Sequence, residues 1–323
     1  MSIGSMLPNT VAFEIASVCV LSCSYCDKRN WSRYGIEREK KYMEFRLFKK
    51  VIDEMAQLNT IPSITLSYEG ESLIHPDFCN FLEYLNEKNI RPWVTTSLLG
   101  GNLKKLDAMI DYCDTISVSL DGDEHMFVKN RGSVKQFKQV REQLNRLLRR
   151  KKRSCVKINL NMTLPPPHNI SSNAVKHFID RWIHEVDELY IWKQIQFGEK
   201  IIYLHRDGIE KHLKRRRPCQ QPFNYAAILT DGRIAPCCNT SRTVLPGLNI
   251  ANGYVETFTS QIFKTFLNNH KKCALKGTPC ENCELWLDDW LGDEVETIVN
   301  KKGEAVTCYH EGNTIRIPSY TNA

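Results

Sequence analysis

The chain has 323 residues, a formal net charge of +7 and thirteen cysteines, with 42% hydrophobic and 25% charged residues. That balance is ordinary for a globular chain with a substantial core, and no apolar run approaches the roughly 20 residues of a membrane span. The opening MSIGSMLPNT lacks the basic and apolar regions of a secretory signal, so a cytoplasmic protein without a membrane partner is expected. In that reducing compartment the cysteines point to metal or redox chemistry, not to a disulfide framework.

In chain order, Val11–Ala16 (VAFEIA) reads as a strand, with the first cysteines after it. FRLFKKVIDEMAQL repeats apolar residues at helical spacing, Ser63–Ser67 is a second strand, FCNFLEYLNEK a helix and RPWVTTS a third strand. LKKLDAMIDYC leads to a fourth strand at Thr115–Leu120, and the helical KQFKQVREQLNRLLRR leads to a fifth, CVKINLNMTL. SNAVKHFIDRWI and DELYIW complete a sixth unit. This alternation predicts an α/β fold, a partial (β/α)6 TIM-like barrel over residues 1–200 with function at the C-terminal ends of its strands.

Beyond about residue 200, AAILTDGRIAPCC reads as a β-hairpin turning at Asp231-Gly232, followed by the helix SQIFKTFLNNHKK and by CALKGTPCENC. Residues 201–323 are thus expected to form a small C-terminal α+β domain, hairpin plus helix, ending in a tail. Two basic runs, Arg149–Arg153 and Lys214–Arg217, read as solvated surface, the first where cations suit a helix C-terminus.

Cys19-x3-Cys23-x2-Cys26 offers three soft thiolates in one loop. A structural zinc would want a fourth ligand nearby, and no His or Cys follows within thirty residues. An iron–sulfur cube held by three cysteines keeps one iron open for another ligand. With Tyr25 before the last cysteine and six βα units around it, the chain resembles the radical S-adenosylmethionine (radical SAM) enzymes. The resemblance implies a [4Fe-4S] cluster on Cys19, Cys23 and Cys26 that binds S-adenosylmethionine at its open iron. One electron from an external reductant of flavodoxin or ferredoxin type would cleave that cofactor to a 5′-deoxyadenosyl radical, which takes a hydrogen atom from the substrate.

The same resemblance implies the cofactor contacts. Gly70 and Glu71 in YEGESLIHPDF align with the Gly-Gly-Glu-Pro segment that receives the methionine amino group, while Glu69 and Ser72 depart from it. Tyr25, Thr96 and Ser97 at the end of strand three, and Ser119 near the ribose in VSLDG, are further contacts, with Arg131 of KNRG at the cofactor carboxylate. Capping and turn formation are the plainer reading of these polar residues.

Cys219, Cys237, Cys280 and Cys283 combine a hairpin cysteine with a distant CxxC, a set that suits zinc or a four-iron cluster. The Cys…Gly-x4-Cys…CxxC arrangement resembles the SPASM and twitch extensions of radical SAM enzymes. No further cysteine follows until Cys308, which implies one auxiliary [4Fe-4S] cluster. Which of the adjacent Cys237 and Cys238 is the ligand stays open, with Gly-x4-Cys favouring Cys237. The resemblance offers Cys238 as a hydrogen-atom donor to a substrate radical, and the plain reading is a small buried residue beside the cluster. Cys79, Cys113, Cys155, Cys273 and Cys308 carry no ligand spacing, and the first three fall on expected core faces.

The expected activity is therefore an oxidoreductase or epimerase that completes an epimerisation, oxidation or bond formation with help from the auxiliary cluster. A ribosomally made peptide is the first substrate reading and a sugar or aminocyclitol the alternative; Trp192 and Gln194, ending strand six, would line the substrate side. With ten residues ahead of strand one, no appended leader-binding domain is expected. A zinc-stabilised nucleic-acid-binding protein is the rival class, disfavoured because aromatic–basic interleaving and paired histidines are lacking. No feature of the sequence sets an oligomeric state.

Overall fold

The computed structural model describes residues 7–26, 38, 40–165, 169, 171–193, 216–238, 244–278, 280–281, 283, 294–311 and 314–319. Six strands run in sequence order: β1 (Thr10–Phe13), β2 (Ser63–Thr65), β3 (Trp93–Thr96), β4 (Thr115–Ser119), β5 (Lys157–Leu164) and β6 (Glu188–Lys193). Each pairs in parallel with the next. Between them lie helices α1 (Phe45–Met55), α2 (Phe78–Glu87), α3 (Leu103–Tyr112), α4 (Glu124–Asn130), α5 (Val134–Lys151) and α6 (Asn173–Trp182).

These parallel strands alternate apolar and polar residues. Val94, Ile116, Val118, Ile158, Leu160, Met162, Leu189 and Ile191 are buried with the apolar stripes of the helices, among them Phe48, Phe81, Met109, Leu144 and Phe178. At the intervening positions stand Thr95, Ser117, Ser119, Asn159, Asn161, Glu188 and Tyr190, held in register across four strands. A parallel sheet buried in apolar core on both faces would read as continuous Val, Ile and Leu. Here one face is core and the other is built to hydrogen-bond, as Ser117 Oγ does to Asn161 Oδ1 at 3.1 Å.

Local chemistry sets the element ends. Ser133 and Gln136 form a reciprocal capping box at the start of α5, which ends among Arg149, Arg150 and Lys151. Arg150 pairs with Asp107 at 2.8 Å and Lys151 with Asp187, so part of this basic run is spent on ion pairs.

The residues after 200 extend the same sheet at both edges. After the short α7 (Gln221–Asn224), β7 (Tyr225–Ile228) lies parallel to β1 and turns through Gly232, at φ +85°, into the antiparallel β8 (Ile234–Ala235). The left-handed turn favours glycine, as the Asp-Gly pair implies. Helices α8 (Tyr254–Thr259) and α9 (Gln261–Lys271) follow. The expected tail is instead an antiparallel meander, β9 (Glu294–Val299), β10 (Ala305–Glu311) and β11 (Thr314–Pro318), with β11 paired to β6. The strand order is β8-β7-β1-β2-β3-β4-β5-β6-β11-β10-β9. Both edges of the parallel sheet are thereby covered, which removes exposed ladder groups.

One further expectation is corrected. Cys155 lies two residues ahead of β5 and is exposed, whereas Cys79 and Cys113 are buried as expected. Its backbone has not yet entered the ladder that would carry it into the core. Among the described residues no helix is long and apolar enough to cross a membrane.

Candidate metal centre

Cys19, Cys23 and Cys26 occupy the loop that leaves β1 at the C-terminal edge of the parallel sheet; Cys23 is buried and the other two are half-buried. Three neighbours hold this loop. From the segment after β2, Glu71 donates its backbone N–H to Val18 O at 2.9 Å. Gly70 packs so closely that a Cβ there would meet Ala16 O at 2.0 Å, so the approach requires glycine. From α4, which the sequence reading passed over, Asn130 O accepts from Ser24 N at 2.8 Å and Ser24 Oγ at 3.3 Å. From the end of β4, Asp121 accepts the Tyr25 hydroxyl at 2.7 Å.

The expected contact residues gather here, but largely upon one another. Glu71 accepts from Leu73 N at 3.2 Å, Thr96 Oγ1 at 2.6 Å, Ser97 N at 2.7 Å and Ser97 Oγ at 2.6 Å. A carboxylate offers about four acceptor positions, so Glu71 is a filled clamp between the β2 and β3 loops, and no such position is left for an ammonium. Burial pushes its pKa up while these donors pull it back. Ser119 stands beside Asn161 at the end of β4. Arg131 follows α4 and is taken by Asp121: Nη2 donates to Oδ1 at 3.0 Å and Nε lies 2.8 Å from Oδ2. Its remaining nitrogen, Nη1, is 4.0 Å from Cys23 Sγ. Burial pushes the Cys23 thiol up, Arg131 opposes this, and Asp121 and Cys19 add to it.

Asp121 is the residue that sequence reasoning missed. It stands in the VSLDG segment singled out for Ser119, and an acidic residue ten positions ahead of the arginine was the available signal.

The second group forms around β8. Cys237 and Cys280 are buried, Cys219 and Cys283 half-buried. Burial pushes the Cys280 thiol up to about 12, with Cys237 and Cys283 adding to the shift, so the fold brings these three together. Cys219 lies just ahead of α7, and Cys238 is exposed, not the small buried residue of its plain reading. The Tyr68 hydroxyl donates to Cys237 O at 3.1 Å. The stretch Tyr68–Glu71 therefore touches both cysteine groups. Trp192, next to last in β6, is exposed and stacked on Tyr190 at 6.3 Å, while Gln194 lies outside the described residues, as do Lys214 and Arg215 of the Lys214–Arg217 run.

The donor sets fit iron–sulfur clusters. Three thiolates on one clamped loop leave an open position, and the second set supplies four. Among the described residues no three acidic, His or Cys side chains converge on a single ion position. A cube asks for less convergence, because each thiolate binds a different iron. The buried Asn130 amide Nδ2 has no partner among the described residues, a spare donor beside the loop that its carbonyl holds.

Solved structures share this fold. BtrN in complex with AdoMet and 2-DOIA superposes with a TM-score of 0.54 at 18% identity, over 86% of this chain and 93% of that one. Streptococcus suis SuiB bound to S-adenosylmethionine gives 0.60 at 14% identity, over 87% and 72%. AnSMEcpe with bound AdoMet gives 0.60 at 14% identity, over 86% and 87%. Among curated proteins, the tungsten-containing aldehyde ferredoxin oxidoreductase cofactor-modifying protein of Pyrococcus furiosus is 27% identical over 84 residues, 26% of this chain. The match spans only 22% of that relative's length. The model of the Radical SAM superfamily matches residues 13–179, more than half of the chain, and the chain belongs to that superfamily.

Proposed function

We propose that Cys19, Cys23 and Cys26 hold the [4Fe-4S] cluster that binds S-adenosylmethionine, and that Cys219, Cys237, Cys280 and Cys283 hold one auxiliary [4Fe-4S] cluster in a SPASM- or twitch-like arrangement. When bound, the first cluster and its cofactor supply one-electron cleavage of a sulfonium and a carbon radical that takes a hydrogen atom from the substrate. The chain's own residues do the rest. Gly70 and Glu71 fix the cysteine loop, Tyr25 and Arg131 brace it from the other side, and the polar row from Ser117 to Tyr190 faces the reaction with hydrogen-bonding groups. The electron comes from an external flavodoxin- or ferredoxin-type donor.

The observation that carries this reading is the placement of a three-cysteine loop at the C-terminal edge of a parallel sheet, clamped by hydrogen bonds to the β2 segment, to Asn130 and to Asp121. The outcome is an epimerisation, oxidation or bond formation on a ribosomally made peptide; the SuiB structure bound to precursor peptide SuiA has the same fold with a TM-score of 0.58. A second reading, a sugar or aminocyclitol, is favoured by the Ser, Asn and Glu row beside the stacked Tyr190 and Trp192, a lining suited to hydroxyl groups.

Anaerobic reconstitution tests the class. Two four-iron clusters require about eight irons per chain, with release of methionine and 5′-deoxyadenosine on adding reductant and S-adenosylmethionine. Tightly bound zinc without sulfide would overturn it. Incubating the loaded enzyme with a peptide and with an aminocyclitol in deuterated water then separates the substrates and the outcomes by mass.

A further inference from the structure

We propose that Asp121 and Arg131 are positioning residues whose charge pair raises the reduction potential of the cluster on Cys23. The inference rests on the reading that Cys19, Cys23 and Cys26 hold that cluster.

Asp121 is fully buried and sits at φ +59°, a left-handed conformation that Asp adopts more readily than most residues but still at a cost. Such strain persists where the surroundings over-determine it. Here Thr163 N donates to Oδ1 at 2.8 Å and the Tyr25 hydroxyl to Oδ2 at 2.7 Å, and the Arg131 fork meets both oxygens. The carboxylate is thus locked to β5, to the cysteine loop and to Arg131 together.

Arg131 in turn has one way to lie. Two of its nitrogens face Asp121, which directs the third toward Cys23 Sγ, and its guanidinium carbon lies 5.5 Å from the centre of the Tyr25 ring. A buried ion pair is weak evidence for stability, since desolvation offsets the attraction. Its direction matters more. From Cys23 the cation comes first and the anion lies behind it, so the sulfur meets the positive end of the pair.

A ligand thiolate carries more negative charge when its cluster is reduced by one electron. A cation and an N–H donor beside that sulfur favour the reduced state, and burial keeps salt from screening the effect. The electron enters from the external one-electron donor; no bond in the pair is made or broken.

The test is a redox titration of the anaerobically reconstituted, cofactor-free protein, following the paramagnetic signal that disappears in Cys23→Ala. Absence of any Cys23-dependent signal would remove the functional reading itself and leave nothing to tune. With the signal present, Asp121→Asn exposes the cluster to an uncompensated cation and shifts the midpoint to less negative potential. Asp121→Asn/Arg131→Gln removes both charges and shifts it to more negative potential than wild type. An unchanged midpoint in the double variant, or shifts of the same sign in both, overturns the proposal. So does a double variant with a wild-type midpoint that binds S-adenosylmethionine tenfold more weakly, which would make Arg131 a cofactor ligand only. Should the double variant fail to load iron, Asp121→Leu/Arg131→Met, which leaves neither charge buried, is read in the same way. If that also stays empty, the pair is a structural tie and the proposal falls.

Discussion

A Cβ on Gly70 would stand 2.0 Å from the carbonyl oxygen of Ala16 and 2.8 Å from that of Val18. Both obstacles are backbone, and neither can rotate away. Gly70→Ala therefore pushes the β2 segment off the cysteine loop. The expected result is a stability loss of about 1–3 kcal/mol, as for overpacked cores, together with reduced iron on the first cluster. Thermal unfolding and iron content of the reconstituted protein measure the two effects; wild-type values for both would contradict the clamp.

Glu71 faces two backbone donors, Leu73 N and Ser97 N, that cannot reverse their role. In Glu71→Gln the carboxamide nitrogen must point at one of them. The cost is about 1–3 kcal/mol for an unsatisfied buried donor, read by denaturant unfolding. Thr96→Val removes a single donor and is expected to cost less.

The two cysteine groups are expected to load independently. Cys23→Ala abolishes cleavage of S-adenosylmethionine and leaves about half of the iron, whereas Cys280→Ala/Cys283→Ala removes the other half. Cys155→Ala, at an exposed position, changes neither. Elemental analysis and product release decide it.

Cys237 is buried and held by Tyr68, while its neighbour Cys238 is exposed, with its sulfur 3.8 Å from Gln221 Oε1. Iron content should accordingly fall in Cys237→Ala and stay at the wild-type level in Cys238→Ala. The reverse result would exchange their roles.

His270 is buried against Phe266, and among the described residues neither ring nitrogen has a hydrogen-bond partner. Burial, with Arg216 nearby, lowers its pKa from 6.5 to about 4. The unfolded chain therefore takes up this proton first as pH falls. Stability is fully present above pH 6.5 and is lost progressively toward pH 4, by about 3 kcal/mol in all. His270→Phe should flatten that acid limb in urea melts between these values.

Much of the fold was legible because its signals are local. Five helices with apolar stripes alternate with six strands with little ambiguity, and Asp231-Gly232 marks its own hairpin. The last three strands were missed although Val306 and Cys308, then Ile315 and Ile317, alternate with less buried residues. No helical segment separates them as in the βα repeat, and β11 finds its place beside β6 only once the chain has packed. The four-residue spread of burial in α4 was likewise too short to read, yet this helix delivers Asn130 and Arg131 to the cysteine loop.

The amino-acid sequence by itself set out the candidate ligands: three cysteines at CxxxCxxC spacing and four more spread over the hairpin and a CxxC. It also determined the parallel βα repeat that puts the first set at the C-terminal edge of the sheet. Only the tertiary structure decided what the polar residues do there. Glu71 turned to Thr96 and Ser97, Arg131 turned to Asp121, and Tyr68 reached Cys237 across 169 positions of the chain. The reason is physical. Ligand spacing is written along the chain, whereas a buried charge chooses its partner by distance and desolvation, which exist only once distant segments have packed together.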